Sequence, residues 1–218
     1  MKIVTLKVGV FEEMTYILID ERTNKVVIID PGAEATRIIN YLKEIGLVEN
    51  RQGTSDLLAI LITHGHYDHI GAIPELVEKF GPEVIAHEES KIYLNNSGYN
   101  LSSKVGREMI ELDASRYIKD GEILKFSDEL EFKVIYVPGH TLDGVAYYHE
   151  KSKSIFVGDI IFKRSIGRSD FFGGNQKQLI AGIKNKIFNL PDNVKIYCGH
   201  GDVTTVGEEK SLNPYARI

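Results

Sequence analysis

Short apolar runs alternate along this chain with stretches of helical period, and the two patterns mark out its elements. Residues 2–8 and 14–20 are β-rich runs separated by Gly9 to Glu13, a hairpin spacing. A third run, 25–30, is closed by Pro31-Gly32. Ala35, Ile38, Ile39, Leu42 and Ile45 then recur at helical spacing, with Gly46 as the stop. Residues 57–62 read as a buried strand. Residues 70–80 read as one helix, with Ile70, Ile73, Leu76, Val77 and Phe80 on a single face and Gly81-Pro82 ending it. The second half repeats the style. Strands are expected at 130–137, 144–149, 153–157 and 194–198, and helices at 175–189 and 206–212. The stretch 88–128 has the weakest pattern and predicts short helices and loops, suited to a lid or to the interface of a homodimer. Several strands are apolar at every position, so they are covered on both faces, which favours a layered α/β sandwich over a barrel.

Four of these apolar runs deliver a metal-ligand type of side chain just past their ends: His64, His140, Asp159 and His200. Glycine directly precedes three of the four, which lets the chain turn sharply towards a crowded centre. Residues 63–69 add His66, Asp68 and His69 to His64. Three histidines packed at a buried strand exit repel one another when charged and are poorly solvated, unless a cation holds them. His64 and His66 alternate around Gly65 and can chelate one ion together with His140. Asp68 and His69 begin the next helix and turn towards a second ion with His200. Asp159 is left to bridge the two. Seven ligands for two ions leave room for a shared water, the mark of a catalytic rather than a closed structural site.

These segments (Thr63 to His69, Pro138-Gly139-His140-Thr141, Gly158-Asp159 and Gly199-His200-Gly201) resemble the metallo-β-lactamase-fold hydrolases across the whole chain. Within that superfamily the sequence looks most like the glyoxalase II branch, on Ile166 to Asp170, Gly173-Gly174, residues 204–209 and Asn213-Pro214. The resemblance implies a single domain over 1–218, a four-layer αββα sandwich of two similar halves, and metals at one edge between the sheets. It implies a dinuclear hydrolase in which a metal-bridging hydroxide attacks a thioester carbonyl, with hydroxyacylglutathione or a related acyl-thiol as substrate. Asp68 would then orient the nucleophile or move its proton. Two divalent ions are expected, zinc first, with iron or manganese accepted by the same donors. Full glyoxalase II enzymes carry a further helical region that grips glutathione. This sequence has about ten residues after Glu208, so the thiol stays open. The alternatives on the same residues are a persulfide dioxygenase using a single iron, and a lactonase. Family members often have Pro-Gly after the His-Thr pair. Here Leu142-Asp143 stand there, a change read as altering a turn and no ligand. True β-lactamases usually carry cysteine in place of Asp159 and are exported, and both differences point away from antibiotics.

Around the ligands, Arg168 is suited to gripping a substrate carboxylate or to pairing with Asp170. Asp30 and Thr141 are candidates to accept or fix a ligand histidine's free N–H, or to serve only their turns, and Thr63 likewise. His87 is expected to cap a helix or lie at the surface, and His149 to end a strand. Cys198 is expected to be a small core residue. Tyr93, Tyr99, Phe171 and Phe172 either line the substrate mouth or fill the core.

Composition narrows the partners. The 218 residues are 43% hydrophobic and 26% charged, with a formal charge of −5. That argues against gripping nucleic acid or an anionic membrane and leaves a small-molecule substrate. No apolar run approaches the ~20 residues of a membrane span. The single cysteine builds no disulfide framework and no signal peptide is visible, so a cytoplasmic location is expected.

Overall fold

A computed structural model describes residues 1–47, 55–105 and 109–216. Residues 48–54, 106–108 and 217–218, parts of the expected domain over 1–218 and, for 106–108, of the weakly patterned stretch, lie outside the described residues.

Two six-stranded sheets form the centre. The first runs β1 (Lys2–Val8), β2 (Glu13–Asp20), β3 (Lys25–Ile29), β4 (Leu57–Leu61), β5 (Glu83–His87) and β6 (Arg116–Ile118), in that order. Its first three strands are antiparallel, and β3 to β6 are parallel, linked by α1 (Ala35–Glu44), then α2 (Tyr67–Ile70) and α3 (Ile73–Phe80), then α4 (Lys91–Leu94). The second sheet uses β7 (Ile123–Lys125), β8 (Glu131–Tyr136), β9 (Val145–His149), β10 (Ser154–Gly158), β13 (Lys195–Cys198) and β14 (Thr204–Thr205). Between β10 and β13 come a small hairpin, β11 (Ile161–Phe162) with β12 (Ser165–Ile166), and α5 (Gln176–Gly182), which continues as a wider turn through Ile187. Helix α6 (Val206–Leu212) follows β14.

The period-two alternation of each strand explains the four layers. On β2 and β3, Ile17, Ile19, Val26 and Ile28 face outward onto Ile38, Leu42, Leu76 and Phe80 of α1 and α3. Their neighbours Tyr16, Leu18, Val27 and Ile29 face inward, against Phe132, Val134, Tyr147 and Phe156 of the second sheet. That sheet's other face, with Ile135, Ile155, Val157 and Ile196, is covered by Leu179, Ile183 and Ile187 of the α5 segment and Val206 of α6. Strands buried on both faces must be apolar throughout, as read from the sequence.

Two local expectations are corrected. The helix 70–80 is two helices, because the Ala72 N–H donates to Pro31 O outside the helix and Pro74 has no N–H to give. Val77 is exposed. Strand β5 precedes the weakly patterned stretch, and within 88–128 the chain forms the expected short helices at Glu88–Ser90, Lys91–Leu94 and Ser102–Lys104 but adds strands β6 and β7. Both are three-residue edge strands, too short to carry a readable period.

Candidate metal centre

All four ligand-bearing strands end at one edge of the sandwich. Strand β4 of the first sheet leads to His64. Strands β8, β10 and β13 of the second lead to His140, Asp159 and His200. The sheets meet there through the backbone: Met14 N–H donates to Gly199 O at 2.8 Å, and Val145 N–H to Thr63 O at 2.9 Å.

The structure brings all seven predicted ligands together, in the two groups the spacing suggested. His64, His66 and His140 form one, with His66 Nδ1 at 3.1 Å from both His64 Nε2 and His140 Nε2. Asp68, His69 and His200 form the other, with His200 Nε2 3.5 Å from Asp68 Oδ2. Asp159 stands between them. Its Oδ2 lies 3.6 Å from His140 Nε2, and its Oδ1 lies 3.5 Å from His69 Nε2 and 3.7 Å from His200 Nε2.

The outer ring nitrogens are held by acceptors. His69 Nδ1–H donates to Asp30 Oδ2 at 3.0 Å, His140 Nδ1–H to Arg168 O at 2.6 Å, and His200 Nδ1–H to Phe11 O at 2.9 Å. His64 Nδ1–H donates to Thr63 Oγ1 at 3.2 Å, whose own hydroxyl donates to Asp30 Oδ2 at 2.5 Å. With Nδ1 turned outward, the Nε2 atoms of His64, His69, His140 and His200 point into the centre. Burial, reinforced by the neighbouring imidazoles, pushes His64 well below its usual pKa, and pushes His66 down to about 3. Both are therefore neutral and able to ligate. Burial opposes the charged form of both His69 and His200, yet Asp159 and Asp30 carry the pKa of His69 well above normal, and Asp68 and Asp159 raise that of His200. His69 Nε2 and Asp159 Oδ1 are buried, face each other and have no hydrogen-bond partner. His66 Nδ1 stands 3.1 Å from each of the other two nitrogens, those of His64 and His140, a spacing that fits a shared cation, since nitrogens around a tetrahedral zinc lie about 3.3 Å apart.

A third group, Asp30 with His64 and His69, is also compact. The Asp30 carboxylate, however, already accepts the Thr63 N–H at 2.7 Å, the Thr63 hydroxyl and the His69 N–H. Asp30 and Thr63 thus contact the outer nitrogens of His69 and His64, the placement that the orienting role expected of them requires. Thr141 does not share that role: its hydroxyl adjoins the carboxyl of Asp143 and no histidine nitrogen. Arg168 is exposed and paired with Asp170 at both ends of its guanidinium, 2.7 and 3.0 Å, and it lies over the Phe171 ring. The fixed contact it makes to the centre is through its carbonyl.

A cleft of about 640 Å³ opens above the ligands. Phe11, Leu101, Phe162, Ile166 and Phe171 give it apolar walls, and Lys104 and Arg168 stand at its rim. Of the four aromatics noted in the sequence, Phe171 lines the cleft, its ring 5.0 Å from His66. Tyr93 is buried, and Tyr99 stacks on Phe172. His87 caps a turn by accepting the Glu89 N–H, but it is buried and stacked on Tyr136 rather than at the surface. His149, also buried, bonds Ser152 and Glu129 O away from the centre.

Sequence reasoning missed four contributors. The carbonyls of Phe11 and Arg168 leave no trace in residue type. Glu13 is buried behind His69, Oε1 3.9 Å from its Nδ1, and burial lifts its pKa well above normal; in the sequence it looked like a turn residue. Asp143 is the fourth. Its signal in the sequence is the Leu142-Asp143 pair that follows His140-Thr141, a place where a change of turn accounts for the pattern without a buried carboxyl.

The sequence pattern of the metallo-beta-lactamase superfamily matches residues 11–200, a span holding all seven candidate ligands. The chain belongs to the metallo-beta-lactamase superfamily. It is 35% identical over 217 residues to hydroxyacylglutathione hydrolase GloC of Haemophilus influenzae, covering 99% of this chain and 98% of the relative. That similarity agrees with the glyoxalase II-like branch. Among solved structures, the B3 metallo-beta-lactamase BLEG-1 superposes with a TM-score of 0.89 at 33% identity, covering 99% of both chains. The protein TTHA1623, solved in a di-iron-bound form, superposes with a TM-score of 0.83 at 30% identity, covering 97% of this chain and 99% of that one. As a superfamily member the chain is a metal-dependent hydrolase by fold and relatives. Among the described residues no helix is long and apolar enough to cross a membrane.

Proposed function

We propose that the chain hydrolyses thioesters with two divalent ions, zinc first, held by His64, His66 and His140 on one side and Asp68, His69 and His200 on the other, with Asp159 shared. The observation that carries this reading is Asp159 itself: its two oxygens face different histidine groups at 3.5–3.7 Å, which suits a carboxylate spanning two ions rather than serving one. Bound divalent ions supply Lewis acidity and bring the pKa of water towards neutrality.

The chain's own residues do the rest. The apolar walls of Phe11, Phe162, Ile166 and Phe171 exclude bulk water and pack the acyl-thiol. His66 and His140 present the floor against which the carbonyl lies. Asp68, at the floor of the cleft, takes the proton of the attacking water as the C–O bond forms, and returns it to the sulfur as the C–S bond breaks. The products are a carboxylic acid and a thiol.

Elemental analysis of protein purified without added metal or chelator is the first test. It is followed by turnover of hydroxyacylglutathione, a lactone and a chromogenic β-lactam. Two ions per chain with thioester turnover support the proposal. One iron per chain with oxygen consumption on a persulfide would replace it. β-Lactam turnover alone would also replace it, and the likeness to BLEG-1 makes that arm necessary despite the missing cysteine at 159.

A further inference from the structure

Gly65 sits between His64 and His66, where the chain has no room for a side chain. A Cβ there would lie 2.5 Å from Tyr93 Cβ. Its N–H donates to Asp143 Oδ2 at 2.8 Å. Asp143 is three residues beyond His140, on the turn between β8 and β9, and is fully buried. Among the described residues no lysine or arginine pairs with it. Its surroundings are the hydroxyls of Ser90 and Thr141 and the Gly65 amide. Keeping a carboxyl group away from water without a cation is costly, and Asp143 makes its one well-formed bond to the loop that carries two candidate ligands.

We infer that Asp143 is a positioning residue that locks the His64–His66 loop to the turn bearing His140, and so sets the geometry of the first metal group. Gly65 is the residue that joins His64 to His66, so fixing the direction of its amide fixes the backbone from which both imidazoles project. The same carboxylate is tethered to the third imidazole through three residues of chain. One aspartate outside the ligand set thus bears on all three members through the backbone, and their nitrogens stand 3.1 Å apart along both edges that meet at His66. The inference rests on the metal-centre reading above.

Asp143→Ala and Asp143→Asn separate the hydrogen bond from the charge, because the asparagine oxygen still accepts the Gly65 N–H. The metal affinity of each holoenzyme is measured by competition with a chromophoric chelator, and cobalt-loaded protein reports ligand geometry by its visible absorption. Asp143→Ala should weaken one of the two ions about 10–100-fold and alter the cobalt spectrum, leaving the other ion unchanged. Asp143→Asn should stay near wild type on both readouts. Wild-type affinity and spectrum in a folded Asp143→Ala, or an Asp143→Asn as weak as the alanine variant, overturns the inference. Should the alanine variant not fold, amide exchange of residues 63–66 in the wild type and in Asp143→Asn decides. Slow exchange in both is expected, and exchange at loop rates overturns the inference. A wild type that binds no metal sinks the metal reading itself, and leaves the exchange arm to judge Asp143.

Discussion

The backbone of Gly158 lies directly against the side chain of Thr63, joining the strand ends that lead to Asp159 and His64. A Cβ on Gly158 would fall 2.1 Å from Thr63 Oγ1 and 2.7 Å from Thr63 Cβ. Gly158 also has φ 49°, in the left-handed region where L side chains are strained. Gly158→Ala should therefore separate the two sheets at the metal edge. A loss of about 2–4 kcal/mol in unfolding free energy is expected, together with loss of bound metal. Denaturant titration and elemental analysis check this, and an unchanged midpoint with full metal would refute it.

Asp30 accepts three hydrogen bonds, two from Thr63 and one from His69 Nδ1, so it sets both ends of the His64–His69 segment. Asp30→Asn keeps the left-handed backbone at φ 48°, which asparagine tolerates. Its amide has one acceptor oxygen and an NH₂ that must face a donor. Metal affinity should fall about 10–100-fold while the fold survives. Metal retained after dialysis, set beside the circular dichroism spectrum, reads the two effects apart.

The readable part of this protein was its strand ends. Apolar runs closing on Gly-His or Gly-Asp gave both the layers and the ligands, because strands buried on two faces cannot hide their composition and ligands must be of few types. Contacts made by carbonyls were not readable. Phe11 and Arg168 fix His200 and His140 through atoms every residue possesses. Glu13 was hidden for another reason. Its burial comes from the meeting of β2 with the end of β13, which no local period announces. Asp143 was visible as a departure, but its partner is 78 residues away.

The hairpin of β11 and β12 forms one wall of the cleft, and α6 holds it in place. The buried carboxylate of Glu209 accepts from Arg164 N at 2.9 Å, the Arg164 guanidinium, Thr204 Oγ1 at 2.6 Å and Asn213 Nδ2 at 3.0 Å. Asn213 also donates to Ser165 O at 2.9 Å. Glu209→Ala removes the acceptor of the Arg164 N–H and guanidinium, leaves Thr204 only Glu208 and Asn213 only backbone carbonyls, and should cost about 2–4 kcal/mol of stability. The wall carrying Phe162 and Ile166 would loosen, so KM should rise more than kcat falls. Metal content should be unchanged. A variant that lost metal in proportion to activity would place the effect elsewhere.

Arg168 gives a contrasting expectation. Its guanidinium is exposed and already paired with Asp170, an arrangement of small energetic value. Arg168→Ala keeps the carbonyl that orients His140, so both ions should remain bound. KM should change only a few-fold. A rise of more than tenfold, with kcat intact, would mean that the arginine leaves Asp170 to grip the substrate.

Cys198 tests whether any nucleophile other than water belongs to this site. It lies on β13, two residues before His200, close enough in sequence to invite a catalytic role. The side chain is fully buried, and burial pushes its thiol pKa up to about 12. A thiol with that pKa is ionised in about one molecule in ten thousand at pH 8, so the reactive thiolate is nearly absent. Its carbonyl is also tied to the Tyr16 hydroxyl at 2.5 Å, which holds the strand in the interior. Native protein should therefore resist a thiol-labelling reagent at pH 8, whereas protein in denaturant should label at once. Cys198→Ala removes one small core atom and should keep metal content and turnover close to wild type. Rapid labelling of the native chain accompanied by inactivation would mean that the sulfur reaches the cleft, and would contradict a reaction carried by water alone.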